Sequence, residues 1–299
     1  MRIIRHPLKS RLNKPVVALG TFDGVHVGHR QVLRRAVKEA GQLQTHSAVI
    51  TFDPHPQEII APGRGLRLLT TLNERTALFC ALGLDSVIAF RFRQELQRLT
   101  SREFIERYLV GKLGVRGVVV GYDYAFGRGR HAGAAELKEL GRRFGFNVVI
   151  VPPVKRGHHL AKSGKIRELL SLGEFNRAVQ LLGHPYRITG RVVRGKGVGK
   201  KLGFPTANLK VDPRKLIPAE GVYFGRVGPR KCLVNIGSRP TFGAGELLVE
   251  VHLLDFRGNL RGQTLTVDLV RRFRAEKQFT DVNDLIAQIK KDVARARRL

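Results

Sequence analysis

The sequence predicts an α/β protein in two parts, a parallel sheet covered by helices and then a small antiparallel β-barrel with a terminal helix. The first part is predicted because apolar runs alternate with helix-like stretches as far as residue 183, the pattern of strands joined by crossover helices. The second is predicted because the later apolar segments are short, β-like and separated by glycine and proline. Gly183, followed by His184 and Pro185, is a helix stop signal. We therefore place the boundary there, between domains 1–183 and 184–299.

The N-terminal part contains five short apolar runs, each of a length that suits a buried strand. They are Val16–Leu19, Ser47–Phe52, Ser86–Phe90, Gly117–Gly121 and Asn147–Val151. Amphipathic stretches separate these runs, and Ser101 is placed as a helix cap. The predicted helices are the stretch after the first strand, residues 72–83, a stretch from Ser101, residues 134–144, and two short helices within 166–182.

The C-terminal part contains five segments that are predicted as strands. They are residues 186–193, 221–227, 231–237, 246–256 and 263–273. Because glycines and prolines separate them, we expect a closed or half-closed antiparallel barrel. Only residues 282–298 regain helical spacing, so a helix is predicted at this end.

The composition fits a globular chain of two ordinary domains. With 299 residues, of which 42% are hydrophobic, the chain is too long for one comfortable core. No stretch reaches the roughly 18 apolar residues of a membrane helix, and the basic start lacks the apolar block of a secretory signal. We therefore expect a cytoplasmic protein with no membrane segment. Cys80 and Cys232 lie far apart inside apolar segments, which favours buried thiols in a reducing compartment over a disulfide.

The formal net charge of +30 is high and points first to polyanionic partners. The charge is spread, however: residues 1–180 carry 30 basic and 14 acidic side chains, and residues 181–299 carry 24 and 10. The aromatic residues do not alternate with basic ones as in a surface that binds single strands. We expect a generally positive surface that gathers substrates such as ATP, with non-specific RNA adhesion as a by-product and no specific nucleic-acid partner.

The ten residues 20–29, GTFDGVHVGH, predict a strand, a glycine-rich turn and a helix, because they lie between an apolar run and an amphipathic stretch. A helix N-terminus offers unpaired backbone N–H groups and a partial positive charge, so this junction predicts a phosphate site. His26 and His29 add directed donors that can face one triphosphate, and the H-x-G-H spacing is typical of enzymes that transfer a nucleotidyl group. Two alternatives stay open: a histidine pair without a ligand, and a zinc site, which needs further Cys, Asp or Glu ligands.

A second loop rich in glycine and lysine, GKGVGKKLGFPTAN, spans residues 195–208. Glycines let backbone N–H groups approach phosphate oxygens and lysines supply charge, although the loop does not match a Walker A pattern. Thr206 and Asn208 are two positions apart, so in an extended segment both side chains face one way and can share a hard cation. The alternative is a turn that uses Pro205 and Asn208 for its shape.

Glu250 is a lone carboxylate in the apolar segment LLVEVHLLDF. An unpaired buried charge is costly, so the position suggests a function such as that of a general base. The alternative is a glutamate on an outward face of the strand. His252 and Asp255 share the segment, so its periodicity does not choose between the two.

With these residues in view, the chain resembles the bacterial bifunctional FAD synthetases, which combine riboflavin kinase and FMN adenylyltransferase. Nine blocks follow in one order along nearly the whole chain, and together they are far more specific than any one of them. The blocks are GTFDGVHVGH (20–29), TFDPHP (51–56), LTTLNER (69–75), GYDYAFGRGR (121–130), IRELLSLGEFNRAVQLLG (166–183), LGFPTANL (202–209), GVYFG (221–225), NIGSRPTFG (235–243) and VEVHLLDF (249–256). The resemblance implies a Rossmann-like nucleotidyltransferase domain followed by a riboflavin kinase-like barrel.

For the C-terminal domain, the resemblance implies transfer of the γ-phosphoryl group of ATP to the ribityl 5′-hydroxyl of riboflavin. Thr206 and Asn208 match the family's residues that hold Mg²⁺ with the nucleotide phosphates, and Glu250 matches its catalytic base. Phosphoryl transfer indeed needs a metal, a phosphate loop and a proton acceptor. The other residues predicted to bind ATP here are Gly195, Gly197 and Lys201.

For the N-terminal domain, the resemblance implies attack of the FMN phosphate on the α-phosphorus of ATP, which gives FAD and releases pyrophosphate. His26 and His29 would stabilise charge on the transferring phosphates without a covalent enzyme intermediate. The predicted flavin-binding residues are His55, Asp123 and Phe126. The predicted phosphate-binding residues are Gly20, Phe22, Asp23, Gly28, Ser163 and Arg167.

The segment before the linking helices departs from the family pattern SST-x-IR. Here it is KSGKIR: Ser163 and Arg167 remain, while Lys162 and Gly164 replace a serine and a threonine. Losing one or two donors costs on the order of 10²-fold in rate if each contacts the transition state. The alternative to a bifunctional enzyme is therefore a riboflavin kinase whose adenylyltransferase activity is weakened or lost. The expected partners are riboflavin, FMN and ATP, and a weak homo-oligomer stays open.

Overall fold

A computed structural model describes residues 2–4, 14–157, 159–195, 197–238 and 247–299. The chain folds into two compact units, Met1–Lys162 and Ser163–Leu299, called unit 1 and unit 2 below. The helices predicted within 166–182 belong to unit 2, and the domain boundary at residue 183 stays a prediction. The block NIGSRPTFG extends outside the described residues from position 239 onward.

Unit 1 alternates strands and helices, as predicted. Its strands are β1 (Arg2–Ile4), β2 (Val16–Leu19), β3 (Ser47–Phe52), β4 (Ser86–Phe90), β5 (Gly117–Gly121), β6 (Ala125–Phe126), β7 (Ala132–Gly133), β8 (Asn147–Val151), β9 (Lys155–Arg156) and β10 (His159–Leu160). Its helices are α1 (Val27–Gln42), α2 (Pro56–Ile60), α3 (Leu72–Ala81), α4 (Gln94–Arg98), α5 (Ser101–Phe104) with a π-helical continuation (Ile105–Val110), and α6 (Ala134–Phe144).

The main sheet of unit 1 has six parallel strands in the order β1-β4-β3-β2-β5-β8. In the centre, Ala18 of β2 pairs with Val49 of β3 on one side and with Val119 of β5 on the other. From β2 the chain runs through β3 to β4 and then returns to the opposite side of β2. The strand order therefore reverses beside β2, and open α/β sheets bind ligands at the carboxyl ends of strands at such a switch point.

Both faces of this sheet are buried, as the alternation of strands and helices predicts. Val17 and Leu19 belong to one apolar cluster and their neighbours Val16 and Ala18 to another, because successive side chains of a strand point to opposite faces. Helix α1 covers the second cluster with buried side chains such as Leu33. Each valine or leucine side chain buried in this way contributes about 1.5–3 kcal/mol.

Unit 2 is a closed barrel with helices before and after it. Its strands are β11 (Tyr186–Val193), β12 (Ala207–Val211), β13 (Gly221–Val227), β14 (Arg230–Ser238), β15 (Leu247–Leu253) and β16 (Thr264–Arg274), in the barrel order β11-β12-β15-β14-β13-β16. Its helices are α7 (Ser163–Ser171), α8 (Phe175–Leu182), α9 (Val198–Lys201) and α10 (Val282–Arg297). Neighbouring strands are antiparallel throughout.

Burial alternates along the barrel strands and so separates an inner from an outer face. On β15, Val249 and Val251 are each 1% exposed, whereas Glu250 and His252 are half-buried. Since side chains of a strand alternate with a period of two, the valines fill the barrel and Glu250 lies on the outer face.

Helix α10 covers part of that outer face. Its Val293 and Ala296 pack in one cluster with Phe224 of β13. A hydrogen-bonded ion pair at 2.9 Å between Arg274 of β16 and the buried Asp292 fixes the helix against the barrel. The predicted terminal helix therefore completes the core of unit 2.

The sequence did not predict three features of these elements. Thr100 caps α5, in place of the predicted Ser101, because its side chain accepts from the backbone N–H of Glu103 at 3.2 Å. Strand β12 was not among the five predicted barrel strands, because it is only five residues long and directly follows a proline-containing turn. Cys80 was expected to be buried, and this was wrong: the residue lies with Asn73 and Ala77 on the exposed stripe of α3. Cys232 is buried as predicted, and burial raises the pKa of its thiol to about 12. In the described residues, no helix combines the length and apolar character needed to cross a bilayer.

Candidate active sites

Three of the sequence blocks follow three neighbouring strands of the unit 1 sheet. Strands β3, β2 and β5 are adjacent and parallel, so the turns that follow them leave the same edge of the sheet. The turn after β2 lies in the block GTFDGVHVGH, the turn after β3 in TFDPHP and the turn after β5 in GYDYAFGRGR. The structure therefore brings all three blocks to the edge where the strand order reverses.

His26 precedes helix α1, and its ring caps the helix. Its Nδ1 accepts a hydrogen bond from the backbone N–H of His29 at 3.3 Å. An Nδ1 that accepts leaves the ring proton on Nε2, so a neutral His26 is a donor at Nε2. The rings of His26 and His29 are stacked, with centroids 3.5 Å apart and planes 20° apart. The two imidazoles predicted to act together lie side by side at a helix N-terminus.

Two glycines make room for these rings. A Cβ at position 28 would lie 3.2 Å from Cε1 of His26, and a Cβ at position 20 would lie 3.0 Å from the ring of Phe22. Phe22 meets the ring of His29 edge to face, with centroids 5.3 Å apart. A larger side chain at either glycine would push an aromatic ring, so Gly20, Phe22 and Gly28 shape the surface around the histidines.

Asp23 is 1% exposed, and its carboxylate is engaged within the protein. It accepts hydrogen bonds from the backbone N–H of Leu69 at 2.9 Å, from that of Thr70 at 2.8 Å and from the Thr70 hydroxyl at 3.0 Å. The Thr70 oxygen in turn accepts from the backbone N–H of Gly24 at 2.9 Å. The carboxylate is thus bonded to the block 69–75, and phosphate contact by Asp23 stays a prediction.

Arg30 brings positive charge to the first turn of α1, directly after His29. Burial lowers the pKa of its guanidinium, and the charge of Arg34 lowers it further. The two arginines are spaced i, i+4 and therefore face the same side of the helix. A bound polyanion would relieve their repulsion, so this charge favours a phosphate ligand near the histidines.

The three residues predicted to bind flavin lie in different surroundings. His55 is buried and caps α2, where its Nδ1 accepts from the backbone N–H of Gln57 at 3.2 Å. Asp123 is exposed in the turn after β5. Phe126 is buried in the core of unit 1, and its ring stacks on Tyr124 with centroids 5.5 Å apart. The ring of Phe126 thus anchors its loop, and flavin contact by these three side chains stays a prediction.

Ser163 and Arg167 lie on α7, which belongs to unit 2. Lys165, between them, forms an ion pair with Glu168 at 2.6 Å, so its charge already has a partner on the helix. A Cβ at Gly164 would meet no atom within 4 Å, so a side chain fits at this position. Phosphate binding by Ser163 and Arg167 stays a prediction.

In unit 2, Asn208 and Glu250 are direct cross-strand neighbours. Asn208 of β12 pairs with Glu250 of β15, and Glu250 pairs on its other side with Asn235 of β14. Directly opposite residues share one face of a sheet, with Cβ atoms about 4.5–5.5 Å apart. The barrel register therefore brings the predicted base beside a predicted cation ligand, although the two are far apart in the sequence.

The glycine-rich loop packs directly against Thr206 and Asn208. A Cβ at Gly195 would overlap Nδ2 of Asn208. A Cβ at Gly199 would lie 2.5 Å from the carbonyl oxygen of Phe204 and 3.1 Å from Oγ1 of Thr206. Only glycine permits such approaches, so the loop backbone lies immediately beside the predicted cation ligands.

Gly197 and Lys201 belong to the same loop. Gly197 has a φ of +74°, a left-handed conformation that side chains other than glycine rarely adopt. Lys201 ends the short helix α9 and is exposed. Their predicted contacts with the phosphates of ATP stay predictions, since the structure gives their place on the loop only.

His252 holds the Pro-Thr-Ala-Asn segment from β15. Its Nδ1 donates to the carbonyl oxygen of Pro205 at 2.9 Å, and its ring meets Phe204 edge to face, with centroids 5.8 Å apart. It lies two residues after Glu250 and therefore on the same face of the strand. The sequence left its role open, and the structure shows that it supports the segment that carries Thr206.

The oxygens of Thr206 and Asn208 fit Mg²⁺ held together with nucleotide phosphates, because hydroxyl and amide oxygens are hard ligands. The space that a Cβ at Gly195 or Gly199 would fill lies beside them. For the zinc alternative at His26, no group of three or more His, Cys, Asp or Glu side chains is arranged to hold a metal among the described residues.

Sequence reasoning missed three residues that support the two sites. Asn235 lies opposite Glu250, Thr70 bonds to Asp23, and Arg75 bonds to Thr21. The only hint in the sequence was that each of them lies in one of the blocks shared with the family. Their partners depend on strand order and register, which local patterns do not give.

The sheet of unit 1 carries an H-x-G-H turn at its switch point, and the barrel of unit 2 pairs a carboxylate with an asparagine beside a glycine-rich loop. These features are those of a nucleotidyltransferase and a kinase joined in one chain. A family model described as FAD synthetase matches residues 8–165, and one described as riboflavin kinase matches residues 182–299. The chain belongs to the family of bifunctional riboflavin kinase/FMN adenylyltransferases. The presence of both domains favours the bifunctional interpretation over a kinase alone.

Similarity to known proteins extends along the whole chain. The bifunctional riboflavin kinase/FMN adenylyltransferase of Pseudomonas fluorescens is 37% identical over 308 residues, which cover 100% of this chain and 98% of that protein. The protein of the same description from Listeria monocytogenes is also 37% identical, over 97% of this chain and 94% of that protein. A solved structure described as a macrolide-efflux protein from Streptococcus pneumoniae has a TM-score of 0.87 at 29% identity, over 99% of this chain and 98% of that one.

Proposed function

We propose that this chain phosphorylates riboflavin to FMN in unit 2 and adenylylates FMN to FAD in unit 1, with ATP as the second substrate of both reactions. The observation that carries the proposal is that each unit brings its own reactive groups together. These are the stacked His26 and His29 before α1, and Glu250 opposite Asn208 on the barrel. Membership of the bifunctional family supports the same pair of activities.

In unit 2, Glu250 accepts the proton of the ribityl 5′-hydroxyl as that oxygen attacks the γ-phosphorus of ATP, and ADP leaves. Thr206 and Asn208 would hold Mg²⁺ with the nucleotide phosphates, where the ion would supply positive charge to the transferring group. Asn235, opposite Glu250, orients the carboxylate. Glu250 is half-buried, which suits a base that must meet a substrate hydroxyl and release its proton afterwards.

The loop before β12 positions the phosphates for this step. Gly195 and Gly197 let backbone N–H groups approach phosphate oxygens, and Lys201 adds a positive charge at the same loop. Because the loop backbone lies beside Asn208, phosphates bound at the loop would lie next to the side chains that would hold Mg²⁺.

In unit 1, a phosphate oxygen of FMN attacks the α-phosphorus of ATP, and pyrophosphate leaves. His26, protonated on Nε2, and His29 donate hydrogen bonds to the phosphate oxygens on which charge develops. The N-terminus of α1 adds its backbone N–H groups and partial positive charge. The nucleophile is the substrate's own phosphate, so no covalent intermediate on the enzyme is needed.

The remaining predicted residues of unit 1 shape or support this site. Gly20, Phe22 and Gly28 shape the surface at the histidine rings, and Asp23 holds the turn. His55, Asp123 and Phe126 form or anchor the turns that receive the flavin. Ser163 and Arg167 belong to unit 2, and their role as phosphate ligands stays a prediction.

A second candidate is a riboflavin kinase with weak adenylyltransferase activity. It is favoured by the altered segment KSGKIR, in which Lys165 is paired with Glu168 and Gly164 offers no hydroxyl. The histidines, the helix N-terminus and the turns of unit 1 are all present, so we propose that adenylylation occurs and that only its rate is affected.

We place both reactions in the cytoplasm, with riboflavin, FMN and ATP as the partners. The positive surface gathers ATP, and neither reaction requires a nucleic acid, a membrane or a second copy of the chain. A weak homo-oligomer is compatible with both reactions.

The proposal is tested by incubating the purified chain with riboflavin, ATP and Mg²⁺ and separating the flavins by chromatography. We expect FMN to appear first and FAD to follow, and removal of Mg²⁺ with a chelator to stop FMN formation. FMN without FAD would establish the kinase alone. A chain that forms neither flavin would contradict both activities.

A further inference from the structure

The block LTTLNER takes no part in the chemistry above, yet it supports the turns that do. Thr71 and Glu74 form a capping box at the start of α3: the Thr71 oxygen accepts from the N–H of Glu74 at 3.3 Å, and the Glu74 carboxylate accepts from the N–H of Thr71 at 2.9 Å. This box fixes where the helix begins. It thereby sets the positions of Thr70 and Arg75, which bond to the turns at the sheet edge.

Arg75 is fully buried and bonds to the ends of two adjacent strands. Its Nη1 donates to the carbonyl oxygen of Thr21 at 2.5 Å and to the hydroxyl of Thr51 at 3.4 Å, and its Nη2 donates to the carbonyl oxygen of Phe52 at 3.5 Å. The Thr51 hydroxyl also donates to the carbonyl oxygen of Thr21 at 2.9 Å. One guanidinium thus links the turn after β2 to the end of β3, directly before the two turns that carry histidines.

The turn after β2 needs such support because two of its residues are strained. Phe22 and Val25 have φ angles of +50° and +41°, although neither is glycine, and both are buried. A β-branched residue in this region persists only where the surrounding structure holds it. Asp23, between them, is held by Leu69 and Thr70. The block 69–75 therefore holds the strained turn from two directions.

We propose that Arg75 is a positioning residue for adenylyl transfer: it sets the spacing of the turns after β2 and β3, so that His26 and His55 face one bound ATP and flavin. This role rests on the proposed adenylyltransferase function of unit 1. A guanidinium suits it because a planar fork donates in two fixed directions, which an ammonium group does not reproduce. Displacing reacting groups by about 1 Å costs about 10²-fold in rate.

The role is tested with two variants that weaken the link from opposite sides, Arg75→Lys and Thr51→Val. The kcat and KM of FMN adenylylation are measured, and formation of FMN from riboflavin by the same molecules is the internal reference. We expect Arg75→Lys to lower kcat by about 10- to 100-fold and Thr51→Val by about 3- to 10-fold. The KM values for ATP and FMN should change by less than about threefold, and the kinase rate should stay unchanged.

Thr76 provides a matched control, because it follows Arg75 on α3 and is also buried. Within the described part of the chain, its hydroxyl oxygen has no hydrogen-bond partner. Thr76→Val should therefore preserve both activities and the melting temperature.

The positioning role is wrong if kcat for adenylylation keeps its wild-type value in both variants, or if it falls only as far as the folded fraction falls in circular dichroism. Should Arg75→Lys fail to fold, Thr51→Val decides, since valine keeps the shape and suits a strand. An unmodified chain that forms no FAD would overturn the proposed function of unit 1 and this role with it, before any variant is made.

Discussion

The two units assemble their candidate sites in opposite ways. In unit 1, the stacked His26 and His29, the glycines beside them and the helix N-terminus all come from the ten consecutive residues 20–29. In unit 2, the reactive groups come from the loop before β12 and from strands β12, β14 and β15, and they meet only through the register of the closed barrel. One site is local in the sequence, and the other depends on long-range pairing.

This difference determines what each site is sensitive to. Because strand side chains alternate with a period of two, a slip of one residue between β12 and β15 would turn Asn208 or Glu250 to the wrong face. The site of unit 1 depends instead on the support beneath its strained turn. Substitutions should therefore separate the two activities, and each activity serves as the reference for the other.

The largest effect is expected from Glu250→Gln. Loss of the general base should lower FMN formation from riboflavin by about 10³-fold, whereas adenylylation of supplied FMN should be unchanged. Glutamine has the same shape, so the barrel should stay folded. Both reactions are followed by chromatography of the flavins, with Asp284→Asn on the exposed start of α10 as a charge-matched control. Kinase activity at the wild-type level in Glu250→Gln would exclude this residue as the base.

A second variant, His26→Asn, separates the proposed catalytic role of His26 from its role as the N-cap of α1. Asparagine is a good N-cap and should keep the bond to the N–H of His29, but it removes the imidazole Nε2–H. We expect FAD formation to fall by about 10²-fold with the melting temperature nearly unchanged. His26→Ala should lose the same activity and also about 1 kcal/mol of stability. Equal rates for His26→Asn and the wild type would limit His26 to the capping role.

The third variant, Asp23→Asn, distinguishes two roles for this residue: holding the turn after β2, or binding a phosphate directly. An amide keeps only one acceptor oxygen, so its NH2 faces the backbone N–H of either Leu69 or Thr70, and unit 1 should lose about 2 kcal/mol of unfolding free energy. If Asp23 positions the turn, kcat for adenylylation falls about tenfold while KM for ATP is little changed. A clear change in KM for ATP at constant kcat would indicate contact with the nucleotide instead.

The sequence predicted most elements of unit 1 and where its candidate histidines lie, because these patterns are local. Hydrophobic periodicity gave the strands from Val16 to Val151, and the glycine-rich turn placed His26 and His29 at a helix start. What it could not give is the lateral order of the strands. The contacts of Arg75 and Asp23 depend on that order, because they join turns to a segment far along the chain.

In unit 2 the sequence named candidate residues without their neighbours. Glu250 stood out as a carboxylate in an apolar segment, but the choice between a base and an outward-facing residue required the register. The register places Glu250 on the outer face and beside Asn208, and its role as the base stays a proposal. Strand β12 was missed because a short segment after a proline carries little periodicity.

The smallest effect is expected where this chain departs from its family, in the segment KSGKIR. A Cβ at Gly164 meets no other atom within 4 Å, so Lys162→Ser combined with Gly164→Thr should restore two hydroxyls without a clash. We expect kcat for FMN adenylylation to rise by up to about tenfold, less than the full effect of two lost donors, because Ser163 and Arg167 are already present. Gly164→Ala is the control, since it gains at least as much helix propensity as threonine does, without a hydroxyl, and should not change the rate. An unchanged rate in the double variant would mean that the lost hydroxyls do not contact the transition state, and that the site of unit 1 depends on its local turn and the support beneath it.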